Sequence, residues 1–246
     1  MLGTLFEAVL YQPIFNLFVG IYNLVPDAGV VIFVLTVLIK LVLYPLTSSS
    51  IKSQKSLQEV QPKLEALKKK YKGEQQTLAQ ETMKLYKEHK VNPFASCLPL
   101  LIQLPILIAL YWVLRNSLGT TDFHLLYSFV KSPESIKTVS LGFLELANPS
   151  IVLAVLAGGT QFWQTKMMTR KKSPENAGAG AKDEDMMAAM NKNMLYFMPF
   201  LTVIIGVQLP AGLTLYWFLS TLITSLQQLV VFKNKKTEVE VVDSKK

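Results

Sequence analysis

MLYFMPFLTVIIGVQLPAGLTLYWFLSTLITSLQQLVVF, Met194 to Phe232, runs for 39 residues without a charge. An uncharged apolar stretch of about 18 residues or more reads as a membrane span, and this one is too long for a single crossing. Leu209-Pro210-Ala211-Gly212 carries turn residues and divides it into a short fourth span, 193–209, and a fifth, 210–232. A second uncharged stretch covers 21 residues from Phe94 to Leu114 and contains Pro99 and Pro105. A membrane helix tolerates such prolines when neighbouring helices satisfy the freed carbonyls. The whole chain agrees: 50% of residues are hydrophobic and 17% charged, against about 25% charged in an ordinary soluble domain, and mean hydropathy is +0.32. The single cysteine, Cys97, has no partner for a disulfide and no neighbouring His for a metal cluster. The chain reads as an all-α integral membrane protein.

Outward from these stretches, VVIFVLTVLIKLVLYPL, Val30 to Leu46, is the apolar heart of a first span, 28–50. Before it, residues 1–27 repeat apolar side chains at three- and four-residue steps from Leu2 to Ile21, with Glu7, Gln12, Asn16 and Asn23 mostly between them. That is an amphipathic helix, expected to lie in the membrane interface. Lacking a basic start and a cleavage site, it is not a secretory signal. Residues 51–91 hold ten Lys and five Glu, with two apolar faces separated at Gly73; they predict a helical hairpin outside the bilayer. A second span at 92–116, a loop at 117–147, a third span at 148–168, a polar loop at 169–192 whose composition suggests disorder, and a basic tail at 233–246 complete the chain. Of the 25 basic residues, 21 lie in the hairpin, in the stretch from Lys166 through the second polar loop to Lys192, and in the tail, which five spans place on one face. That face is cytoplasmic by the positive-inside rule, giving an N-out, C-in topology. No internal repeat is evident, which weakens an inverted-repeat transporter.

Lys40 is the most informative residue. A lysine at mid-helix costs about 2.5 to 3.5 kcal/mol on insertion scales, and all 17 acidic residues lie outside the five expected spans. An ion pair at membrane depth is therefore excluded, leaving a hydrated cavity or snorkelling to the interface. Thr36 stands one turn before it, and Gln103, Gln161, Gln164 and Gln227 bring uncharged polar groups from other spans; each Gln alone serves equally as interhelical glue. Catalysis is not expected. His89 and His124 fall outside the spans, and Ser96 and Ser220 have no base. Neither a metal nor another cofactor is implied.

VNPFASCLPLLIQLPILIALYWVLRNS, Val91 to Ser117, closely resembles the second span of the YidC family of membrane protein insertases, relatives of mitochondrial Oxa and chloroplast Albino proteins. The resemblance extends to VLTVLIKLVLYPLT, VQPKLEALKKKYKG and LPAGLTLYWFLSTLITSLQQ, and so covers essentially the whole chain. It implies a groove open to the cytoplasm and to lipid, in which a positive residue attracts the hydrophilic segment of a nascent membrane protein. Lys40 stands where the family usually has Arg, a compact charge without the guanidinium fork. By the same resemblance Thr36 is a substrate contact, Leu104 and Leu107 line the slide, Gln164 is a groove position, and Tyr216 and Trp217 are aromatic positions in the fifth span, or simply interhelical packing. The implied partners are nascent membrane proteins and lipid, with ribosome, Sec translocon and targeting receptor as further partners and no nucleic acid directly; the implied location is the bacterial plasma membrane. The family's large outer domain, lipoprotein Cys and long basic tail are not expected here. The alternative reading is a small-solute or ion transporter using Lys40 as its binding charge.

Overall fold

A computed structural model describes residues 2–92, 98–118, 125–168 and 195–243. Cys97, Ser96, His124 and the polar loop 169–192 lie outside the described residues. The chain is mostly helical: α1 (Leu2–Phe6), a π-helical turn (Glu7–Tyr11), α2 (Gln12–Leu24), α3 (Ala28–Val42), α4 (Tyr44–Lys70), α5 (Gln75–Glu88), α6 (Leu98–Ser117), α7 (Ile151–Met168), α8 (Leu195–Gly206) and α9 (Ala211–Asp243). Between α6 and α7, β1 (Val139–Ser140) and β2 (Leu144–Glu145) pair antiparallel, with Val139 opposite Glu145. Strands of two residues are too short to leave a period in the sequence, and the loop reading of 117–147 did not contain them. Among the described residues only Ala211–Phe232 is a single helix long and apolar enough to cross a membrane; α3 and α4 pass the same test together as a bent pair.

Two helices end elsewhere than expected. The first helix stops at Val42 rather than continuing to 50, and α4 leaves it at 68°. Pro45 explains the position, since a proline disfavours helical geometry in the residue before it and is tolerated in the first turn of a new helix. Thr47 to Ser50 therefore belong to the hairpin's first arm. The arm ends at Lys70, and Gly73 takes φ +89° in the turn, as its place in the sequence suggests. At the other end, α9 runs without a break from Ala211 through the polar tail to Asp243.

The main core is built from α2, α3, α6 and α9: Phe18, Val19, Ile32, Leu35, Leu110, Val113, Leu114, Leu213 and Tyr216 are buried in it, joined by Ile136 and Leu146 from the loop. The amphipathic N-terminal helix is part of this core. Its polar side bonds the loop that follows α6, while Glu7 stays exposed. Asn16 accepts from the Tyr127 N–H at 2.6 Å and donates to the Leu125 carbonyl at 3.0 Å, Gln12 donates to the same carbonyl, and Asn23 donates to the Lys131 carbonyl. Its exposed apolar side chains are Leu5, Val9, Leu17 and Leu24. Close approach elsewhere depends on glycine. A Cβ on Gly29 would stand 2.2 Å from the Ser140 hydroxyl, and one on Gly158 would stand 2.5 Å from Val203 Cγ2, where α7 meets α8. A second, small core of Val60, Leu64, Leu85 and Val91 holds the hairpin together.

Candidate functional site

Lys40 lies two residues before the end of α3, where the bend carries the chain away from the bundle. Its Nζ donates to Thr224 Oγ1 on α9 at 2.9 Å, and Thr224 in turn donates to the Ser220 carbonyl at 2.8 Å. An ammonium has three protons to donate, so this bond leaves it with donor capacity. Among the described residues no carboxylate lies within salt-bridge distance of it; the Lys84–Glu81 ion pair lies away from it, in the hairpin.

Lys40 opens onto a cavity of about 600 Å³ between α3, α4, α6, α7 and α9. Every other residue lining it is uncharged. Gln103 reaches across from α6, donating to the Tyr216 hydroxyl at 2.8 Å and accepting from Ser220 Oγ at 3.4 Å. On α7, Gln161 accepts from Thr202 Oγ1 at 3.0 Å, which ties α8 to the same wall. Gln227 sits behind the wall, donating to Thr47 and Ser48, both at 2.9 Å, and so locks α9 against the start of α4.

Seven of the nine residues singled out by sequence line this space: Lys40, Gln103, Leu104, Leu107, Gln161, Gln164 and Trp217. Leu104 is also 46% exposed, so it stands on the rim. Two do not line it. Thr36 is fully buried and donates to the Ile32 carbonyl at 2.6 Å, and Tyr216 is buried with only its hydroxyl tied to the wall through Gln103. A helical threonine satisfied by its own preceding turn has no need of a polar cavity, which is why one turn's spacing from Lys40 misplaced it. Sequence reasoning missed the polar stripe of α9, Ser220, Thr221, Thr224 and Gln228, and the stripe of α4, Gln54, Gln58 and Gln61. Both recur at three- and four-residue steps beside residues already singled out, which was the available signal.

The 60Kd inner membrane protein family matches residues 20–238. The chain belongs to that family. Within it, a Fusobacterium nucleatum subsp. nucleatum protein named membrane protein insertase YidC is 39% identical over 209 residues, spanning 85% of this chain and 88% of the relative. A Clostridium tetani protein of the same name is 40% identical over 205 residues, spanning 83% and 81%. Longer relatives bear the name too: one from Actinobacillus succinogenes is 33% identical over 225 residues, covering 90% of this chain but 36% of its own length. A solved structure described as an active YidC insertase with the first transmembrane domain resolved superposes with a TM-score of 0.57 at 28% identity, covering 90% of this chain and 45% of that one. The family's name places the chain in an inner membrane.

Proposed function

We propose that this chain is a membrane protein insertase that receives nascent membrane proteins in the cavity at Lys40 and releases them sideways into lipid. The observation that carries the reading is a lone cation on the wall of a cavity otherwise lined by uncharged groups, in a chain that aligns with named insertases over more than four-fifths of their length. In this reading five spans cross the membrane, the N-terminus is outside, and the lysine-rich hairpin and tail face the cytoplasm, where ribosome, translocon and targeting receptor dock.

The chemistry required is small and the physics specific. A polar tail faces a hydrocarbon barrier of about 30 Å. A wet notch reaching partway in from the cytoplasm shortens that path, and an ammonium at its inner end offers an acidic segment a partner that lipid lacks. Release outward is then favoured by an inside-negative potential, at about 2.3 kcal/mol per negative charge per 100 mV. The substrate's apolar segment leaves over Leu104, whose side chain borders both the cavity and the outside of the bundle. Lys40 acts by charge and not by a bidentate fork, so geometry at the tip matters less than sign. The transporter alternative has no particular observation in its favour.

The test is insertion of a single-span substrate with an acidic tail into proteoliposomes. Lys40→Arg retains insertion and Lys40→Glu abolishes it. Equal activity of the two variants removes the electrostatic role.

A further inference from the structure

The cavity holds more hydrogen-bonding capacity than one cation needs. Gln54, Gln58 and Gln61 line it from one face of α4, Gln161 and Gln164 from α7, and Gln228 from α9. Among the described residues the amides of Gln58, Gln61 and Gln164 make no hydrogen bond, and all three are half-buried. Gln228 is 1% exposed; its Nε2 spends its donor on the Met168 sulfur at 3.3 Å, and its Oε1, buried, has no partner. Gln228 Oε1 has no accessible surface, so the amides open to a ligand in the cavity are those of Gln58, Gln61 and Gln164.

A charge cannot serve this purpose generally, since side chains of translocated tails vary while every non-proline residue carries one N–H and one C=O. A carboxamide matches both, donating through its nitrogen and accepting through its oxygen, and it repels neither acidic nor basic segments. Alternation of Gln with Leu57 and Leu64 on the same stretch of α4 gives such a segment polar and apolar footing together.

Resting on the insertase reading, we propose that these glutamines bind the extended main chain of the substrate's polar segment irrespective of its sequence, with Gln58, Gln61 and Gln164 pairing with its N–H and C=O groups, while Lys40 selects for acidic side chains. Two binding principles then share one cavity, and they separate by substrate.

The experiment uses the full chain in proteoliposomes and two single-span substrates that differ only in the tail, one acidic and one of uncharged Gly and Ser. Gln58→Ala/Gln61→Ala and, separately, Gln164→Ala lower insertion of both tails by a similar factor, about fivefold for the loss of one or two net hydrogen bonds. Lys40→Ala lowers the acidic tail and leaves the neutral one within twofold, on the order of what an uncoupled site shows. A neutral tail in which backbone amides are replaced by esters, removing N–H donors, inserts less well into wild type and shows a smaller further loss with Gln58→Ala/Gln61→Ala. Glutamine variants that affect the acidic tail alone, or neither tail, overturn the proposal while the insertase reading stands. Failure of the wild-type protein to insert either tail overturns both. The alanine pair on α4 and Gln164→Ala on α7 test opposite walls; a loss with one but none with the other also counts against a shared glutamine wall.

Discussion

The two ends of this molecule treat polar groups in opposite ways. At the loop end most are paired, the buried Ser117 hydroxyl being an exception. The Asp27 carboxylate caps α3 by accepting from the Gly29 and Val30 N–H groups at 2.9 and 3.1 Å, and it also accepts from the Leu141 N–H at 2.7 Å and the Ser140 hydroxyl. Those bonds hold the β1–β2 turn, where Leu141 sits at φ +52°, a conformation that side chains other than glycine seldom adopt. Asn16, Tyr22 and Asn23 anchor the rest of the loop. At the hairpin end a cavity of about 600 Å³ is lined by a cation with one hydroxyl partner and by amides of which Gln58, Gln61 and Gln164 make no hydrogen bond among the described residues. A polar side chain paired by its own chain is structural; one left facing space is available to something else. That contrast separates scaffold from site here better than polarity alone, since Asn16 and Gln164 are equally polar residues in equally apolar helices.

The comparison breaks first if the core near the loop end tolerates damage as well as the cavity wall does. Leu114 is 1% exposed amid the main core, and Leu114→Ala costs about 2–5 kcal/mol as a buried truncation. Leu107→Ala, bordering space that already exists, costs about 1 kcal/mol or less. Unfolding midpoints in detergent check the pair; equal losses would mean that the cavity wall is packed like the core.

Asp27 gives an intermediate effect and a pH signature. Burial alone pushes its carboxyl up, but the Leu141, Ser140, Val30 and Gly29 donors together outweigh it and hold the pKa below the ordinary carboxylate value. Its stabilisation is therefore complete above the unfolded value of about 3.9 and drains away as pH falls through the lower folded value. Asp27→Ala costs about 1 kcal/mol at pH 7, typical of a lost helix N-cap. Thermal midpoints across pH 3 to 7, on the order of the carboxylate range, converge for wild type and variant at the acid end. A difference that persists unchanged there would show that the carboxylate's charge is not what matters.

The smallest effect sharpens the site itself. Thr224→Val removes the one partner of the Lys40 ammonium and leaves the cation in place. Insertion of an acidic tail changes by about twofold or less, because water replaces one neutral hydrogen bond. A loss as deep as that of Lys40→Glu, measured in the same insertion assay, would make the hydroxyl a working part and not a tether.

Much of this was readable before any coordinates, for a particular reason. Lys40, Gln103, Gln161 and Gln164 stand out because apolar neighbours make each one costly to bury, and all four reach the cavity. Leu104, Leu107 and Trp217 came from the family resemblance, since leucine among leucines carries no signal of its own. Thr36 and Tyr216 escaped correct placement because a hydroxyl is easily satisfied nearby, by the Ile32 carbonyl in one case and by Gln103 in the other. The glutamines of α4 were read as part of a solvated hairpin because that arm is rich in lysine; their four- and three-residue steps at 54, 58 and 61 were the overlooked pattern. The bend at Leu43 was written in Tyr44-Pro45, but it was outweighed by the unbroken apolar run around it.

The central claim is that the α3 cation stands in water and not in packed protein or acyl chain. With Cys97 replaced by Ser and a single cysteine at position 40, a membrane-impermeant thiol reagent added from the side bearing the lysine-rich hairpin labels the protein as fast as a cysteine placed at Gln58. Protection equal to that of a cysteine at Leu114, inside the core, would contradict it.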